Sequence, residues 1–396
     1  MASPHAAHDV TRMLAERTGT DPGDWFLVFK ARYGMQVVLR ALKGQRGPGD
    51  VVSQIFTCST AVDPILAAGL HPTYAEVSPA TVSIDPDRLV VGDATRAVML
   101  QHTFGIVDEI AARRVQGAAH AAGALLVEDS AHCVGQMARD DAGAPLADVS
   151  IHSFGVEKML PTRFGGAVWV NPSMHDAALR AHLRRDLAGL PTAGRRLDLA
   201  ARGYRTEVRV LNRLPGAVGP RLRDALTQVG AFEPPIAPVE RRGRLPYEPL
   251  APSAWMTARM AEALPSLGDV EVRRAAVVAE YLRALGDVVE VPAGVGAGRP
   301  LVRFPFFAAD ADGAERIIDA LGSAGFYPGR WYRPALFPGV DDPAVYGYAP
   351  GDGSLPVTED LVARVVNLPT TVDVARARRI AEVVLSAIGS DGHPST

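Results

Sequence analysis

Two cysteines, Cys58 and Cys133, are all that the 396 residues contain. With no CxxC pair, the chain offers neither a disulfide framework nor a cysteine-built zinc site. No apolar run reaches the roughly 18–20 residues that a membrane-spanning helix needs. The opening Met1-Ala2-Ser3-Pro4-His5 lacks the basic and then apolar stretches of a secretory signal, so the chain reads as cytoplasmic. A net charge of −3 provides no field for nucleic acid or a membrane surface. Familiar catalytic signatures are missing as well: there is no GxxxxGK followed by Ser or Thr, no GxSxG and no HExxH. Gly294-Val295-Gly296-Ala297-Gly298 has the wrong spacing for a dinucleotide fingerprint and no helical pattern behind it, which predicts a turn.

What is present describes a globular protein with a large core: 47% of residues are hydrophobic and 21% charged. Over 51–170, short apolar runs alternate with helix-like stretches. Strands are predicted at 51–56, 72–77, 97–104, 124–128, 149–154 and 167–170, with helices at 61–68 and 110–122. Such alternation implies a mainly parallel sheet covered on both faces, with ligands gathering at the carboxyl ends of the strands. The stretch 180–244 carries 14 basic against 6 acidic side chains, leaving −11 for the rest of the chain. It reads either as solvated helix faces or as an electropositive rim that attracts an anionic substrate. Prolines over 234–252 then mark an extended connector. Beyond it, helices predicted at 254–264, 272–285, 314–324 and 375–388 mix with strands at 289–291, 301–307 and 365–368. The expected division is a large α/β domain over 1–252 and a smaller α+β domain over 253–396.

The chemistry centres on Lys158, in Ser153-Phe154-Gly155-Val156-Glu157-Lys158, in a loop between two buried strands. A partly desolvated amine there is a Schiff-base nucleophile. Upstream, Val127-Glu128-Asp129-Ser130-Ala131-His132 puts an acid at the end of another buried strand. A lysine that holds an aldehyde and a carboxylate that keeps a pyridine nitrogen protonated are the two parts that pyridoxal phosphate chemistry requires. That cofactor, and no metal, is therefore expected.

These fragments resemble the sugar aminotransferases of the DegT type, fold type I pyridoxal phosphate enzymes. Gly49-Asp50-Val51-Val52 is similar to the family's "GDEVI", Gly69-Leu70-His71-Pro72-Thr73-Tyr74 to "GATPVF", and His102-Thr103-Phe104-Gly105 to "HLYG". Val127 to His132 resembles "VEDAAH", Ser153 to Lys158 resembles "SFHPTK", and Gly165-Gly166 follows as in the family. Tyr332-Arg333-Pro334-Ala335-Leu336 and Asn367-Leu368-Pro369 resemble its "YPPLH" and "LSLP". The resemblance implies a mainly parallel sheet of the seven-stranded type and a homodimer. It implies transfer of an amino group from an amino-acid donor to a keto sugar, nucleotide-linked, or to a cyclitol ketone, in natural-product or cell-surface sugar biosynthesis. Two alternatives stay open: elimination or dehydration on a sugar or amino acid, and a cofactor-binding regulator without turnover. Dehydratase relatives replace the lysine by histidine, and this chain keeps it.

Carried over by resemblance, Lys158 would hold the cofactor's aldehyde and Asp129 its ring nitrogen. His132 would lie near the ring hydroxyl, and Ser153 would bind the phosphate. The family's Ser-Gly-Thr before the first long helix is replaced within Lys30-Ala31-Arg32-Tyr33-Gly34, so Ala31 and Arg32 are the expected phosphate contacts. Cys58 falls where the family stacks an aromatic on the ring, with Phe104 or His102 as compensating candidates. Arg163-Phe164 replaces the usual Gly-Glu, and Tyr247-Glu248-Pro249-Leu250 stands where relatives send an asparagine across the dimer interface. Arg163, Arg330, Arg333 and the basic stretch are candidates for holding an anionic acceptor.

Overall fold

A computed structural model describes residues 4–389. Nine strands are assigned among them: β1 (Trp25–Val28), β2 (Asp50–Ser53), β3 (His71–Tyr74), β4 (Thr95–Gln101), β5 (Leu125–Ser130), β6 (Val149–Ser153), β7 (Gly166–Val170), β8 (Arg303–Phe307) and β9 (Val365–Pro369). The first seven form one sheet in the order β1-β7-β6-β5-β4-β2-β3. Pairing is parallel from β3 through β6, and antiparallel where β7 joins β6 and β1 joins β7. This is the α/β architecture of fold type I.

The helices are α1 (Pro4–Thr18), α2 (Ala31–Arg46), α3 (Ser59–Ala68), α4 (Glu109–Ala121), α5 (Ala177–Ala188), α6 (Arg195–Leu211), α7 (Val218–Gln228), α8 (Ala254–Ala263), α9 (Leu267–Leu285), α10 (Ala311–Ser323), α11 (Pro356–Arg364) and α12 (Val374–Gly389). None is long and apolar enough to cross a membrane. Strand side chains alternate between faces, and the burial follows that period of two. Ala97, Met99, Leu125 and Val127 pack beneath α2, α3 and α5, while Val98, Leu100 and Leu126 meet Ala112, Val115 and Ala119 of α4 on the other face. Asp108 starts α4 by accepting the N–H groups of Ile110 and Ala111, both at 3.0 Å. β8 and β9 form an antiparallel pair that shares a core with α9, α10 and α12, and α1 reaches into the same core through Val10 and Leu14.

Three expectations change. Residues 289–291 form no strand; Glu290 makes one isolated bridge to Phe307, because Pro292 and Gly294 end the extended run at once. The strand expected over 97–104 stops at Gln101, since Phe104 and Gly105 turn the backbone to positive φ, 57° and 95°. β1, only four residues long, carries too little alternation to be read from sequence.

Candidate active site

Three features of the sheet converge on one cavity of about 360 Å³. Asp129 stands near the carboxyl end of β5 and Ser153 at the end of β6, as parallel strands require. α2 starts beside them because Gly165 and Gly166 let it approach. A Cβ on Gly166 would lie 2.7 Å from the Ala31 nitrogen and 2.8 Å from its Cα. Lys158 enters from the β6–β7 loop. The seven residues expected to hold the cofactor all line this cavity: Lys158, Asp129, His132, Ser153, Ala31, Arg32 and Cys58.

Burial governs the two reactive groups. Desolvation pushes the Lys158 amine below the usual lysine range, against the opposing pull of Cys58 and Asp129. It pushes Asp129 above the usual carboxylate range, although Ala131 N–H donates to its Oδ1 at 3.0 Å and Lys158 lies nearby. Each group drifts toward neutrality, so a cation placed against Asp129 is what would hold that carboxylate ionised. Lys158 Nζ sits 5.1 Å from the Trp331 ring centroid. Ser153 Oγ accepts from Gly155 N–H at 3.1 Å, which leaves its own proton for a ligand.

Arg32 lines the cavity but is not free. Its guanidinium pairs with Glu240 and donates to the Pro235 carbonyl at 2.8 Å. Lys30 beside it pairs with Glu233. The Tyr247 hydroxyl donates to Glu233 at 2.7 Å, so this segment packs against its own chain. Neither Phe104 nor His102 lines the cavity. His102 is 2.7 Å from Glu128 in the core, and Phe104 lies against His132. The aromatic surface comes instead from Trp331, Tyr332 and Phe337, residues that sequence reasoning left without a role. Arg330 and Arg333 fall outside this cavity, in a separate cleft where both pair with Glu315. Arg163 does line the site, and it makes no ion pair among the described residues. Burial and the charges of Arg205 and Arg259 push its pKa down.

Residues 30–197 match the model of the DegT/DnrJ/EryC1/StrS aminotransferase family. Over that stretch, less than half of its length, the chain is similar to this family. Among curated proteins it is 27% identical over 186 residues to a dTDP-4-dehydro-2,3,6-trideoxy-D-glucose 4-aminotransferase of Saccharopolyspora spinosa, covering 46% of this chain and 47% of that protein. It is 32% identical over 124 residues to a dTDP-4-dehydro-2,6-dideoxy-D-glucose 3-dehydratase of the same organism, covering 31% and 26%. The matched stretches thus span about half, or less, of these relatives. Among solved structures, the aminotransferase TlmJ of Streptoalloteichus hindustanus superposes with a TM-score of 0.70 at 20% identity, over 99% of this chain and 93% of that one. That likeness establishes the fold.

Proposed function

We propose that this chain is a pyridoxal phosphate-dependent aminotransferase that moves an amino group from an amino-acid donor to the ketone of a sugar, nucleotide-linked, or of a cyclitol. The observation that carries the reading is the half-buried Lys158, which lines the same cavity as Asp129. The residues fit the cofactor. Asp129 is the acid for a ring nitrogen, Ser153 has an uncommitted hydroxyl proton, and the start of α2 at Ala31 and Arg32 offers helix N-terminal polarity to a phosphate. Cys58 and His132 complete the walls. When bound, the cofactor supplies an aldehyde and an electron-withdrawing ring.

The protein's part is positioning and proton transfer. With its pKa lowered by burial, the Lys158 amine is neutral and nucleophilic more often than an exposed lysine, and its Nζ would take the proton from the donor's Cα. Asp129 would keep the ring nitrogen protonated through a charge-assisted hydrogen bond. Arg163 at the cavity wall, without an ion pair among the described residues and with Arg205 near it, favours an acceptor that carries an anionic group, as a nucleotide-linked sugar does. The division at 252/253 and a homodimer in which the partner closes the site belong to the same proposal. The retained Lys158 favours amino transfer over dehydration, although one curated relative is named a dehydratase.

The test is direct. Protein loaded with cofactor should show a visible absorbance band, borohydride should abolish it, and peptide mapping should find the cofactor on Lys158. Glutamate should bleach the band and release a keto acid. Unchanged cofactor linkage in Lys158→Ala overturns the assignment, and a band that no amino donor affects favours a regulator.

A further inference from the structure

Tyr332 is only 2% exposed, and its side chain lines the same cavity as Lys158 and Asp129. Its hydroxyl lies 3.0 Å from His132 Nε2. Which of the two donates is decided on the far side of the imidazole. There the backbone N–H of Phe104 points at His132 Nδ1, at 2.9 Å. A backbone N–H can only donate, so Nδ1 is an acceptor and carries no proton. The single proton of the neutral ring is therefore on Nε2, and it is donated to the Tyr332 oxygen.

The surroundings keep the ring neutral. His132 is 3% exposed and lies between Trp331, with centroids 5.1 Å apart and planes 9° apart, and Phe104, at 6.3 Å and 23°. Charged groups near it are the cations Lys158 and Arg303, which oppose a second proton. The turn that aims the Phe104 N–H is itself built for the purpose. Phe104 has φ 57° and Gly105 φ 95°, and a Cβ on Gly105 would come within 3.2 Å of the His132 carbonyl. The motif His102-Thr103-Phe104-Gly105 thus fixes a tautomer.

Tyr332 receives one hydrogen bond and must send its own proton elsewhere. No other hydrogen bond of this hydroxyl exists among the described residues, and Asp129, which faces the same cavity, is instead bonded to Ala131 N–H. A buried hydroxyl left without an acceptor costs roughly 1–3 kcal/mol. We propose that Tyr332 is a further catalytic residue, whose hydroxyl, locked in direction by His132, donates to an oxygen of the molecule bound in this cavity. The acceptor is either the cofactor's ring oxygen or the carbonyl oxygen of the substrate. The inference rests on the aminotransferase reading.

Tyr332→Phe keeps the ring and removes the donor. If the cofactor's oxygen is the acceptor, the pH at which the bound cofactor's absorbance titrates should move by about one unit, a readout that needs no turnover. If the substrate's carbonyl is the acceptor, that titration stays put and kcat of the acceptor half-reaction falls roughly 10- to 100-fold, with KM little changed. His132→Asn should move the same reading less, and adding Tyr332→Phe to it should change little more, because the two act as one unit. It also serves as the informative variant if Tyr332→Phe does not fold. A parent protein that acquires the borohydride-sensitive band, with a Tyr332→Phe variant matching it within about twofold in titration and both half-reactions, overturns this inference alone. A parent that never acquires the band overturns the aminotransferase reading as well.

Discussion

Replacing Glu240 by Gln should tighten cofactor binding while weakening the cofactor-free fold. Four charges meet at the start of α2: Lys30 with Glu233 and Arg32 with Glu240. Their side chains are 8%, 4%, 13% and 1% exposed, so the cluster is buried and its net charge is zero. A phosphate dianion arriving there meets two cations already neutralised. Glu240→Gln keeps the shape of the side chain and an oxygen for the Ala237 N–H, and it deletes one negative charge. Without cofactor, Arg32 is left buried and uncompensated, which costs about 3–5 kcal/mol. With cofactor, the phosphate takes Glu240's place. At an effective dielectric constant near 20, unit charges roughly 8 Å apart interact by about 2 kcal/mol, and the affinity gain should be of that order, roughly thirtyfold. Titration of the cofactor into protein freed of it, followed by the visible band, gives the dissociation constant. Thermal unfolding with and without cofactor should show the variant's deficit shrinking as cofactor is added. A folded variant with unchanged or weaker affinity would refute the reasoning and leave Arg32 as a structural partner of Glu240 alone.

Asp129→Asn should lower kcat by at least about 100-fold, since a neutral amide cannot keep the ring nitrogen protonated. The melting temperature without cofactor should hold or rise, because the carboxylate it replaces is penalised by burial; calorimetry beside steady-state kinetics checks both. Asp63, on α3, is fully buried with Oδ2 unpartnered, and burial pushes its pKa up to about 8, helped by Glu240 and opposed by Arg32 and by the Tyr346 hydroxyl at 2.7 Å. A carboxyl raised above its unfolded value contributes stability that is complete below about pH 4 and lost as pH rises through about 8. Asp63→Asn should therefore flatten the fall in unfolding free energy over that window in denaturant titrations; an unaltered pH profile would show that Asp63 is ionised in the fold.

The sheet was legible wherever the chain obeyed a simple period. β5 opens with an apolar run that ends in polar residues, β6 alternates Val149 and Ile151 with Ser150 and His152, and α4 announces itself through Asp108 and the spacing of Ala112, Val115 and Ala119. The failures lie where tertiary context overrides pattern. β1 is held by antiparallel pairing to β7, 142 residues downstream at the Phe26–Val168 pair, and four residues cannot advertise such a partner. Residues 289–291 have strand composition and no neighbour to complete a ladder.

The same distinction separates the two halves of the site. Lys158, Asp129 and Ser153 were readable because each lies at or just past the carboxyl end of a strand, and the strand order brings those ends together. Arg32 was readable as a cation and unreadable as a neutralised one, because Glu240 lies 208 residues away in sequence. Tyr332 and His132 are separated by 200 residues, and the meaning of either depends on the other. The tautomer of His132 follows from Phe104 N–H, and the freedom of the Tyr332 proton follows from the tautomer. Sequence supplied the candidate reacting groups of this cavity. What decides their charge and the direction of their protons is long-range pairing, with Glu240 for Arg32 and with Tyr332 for His132.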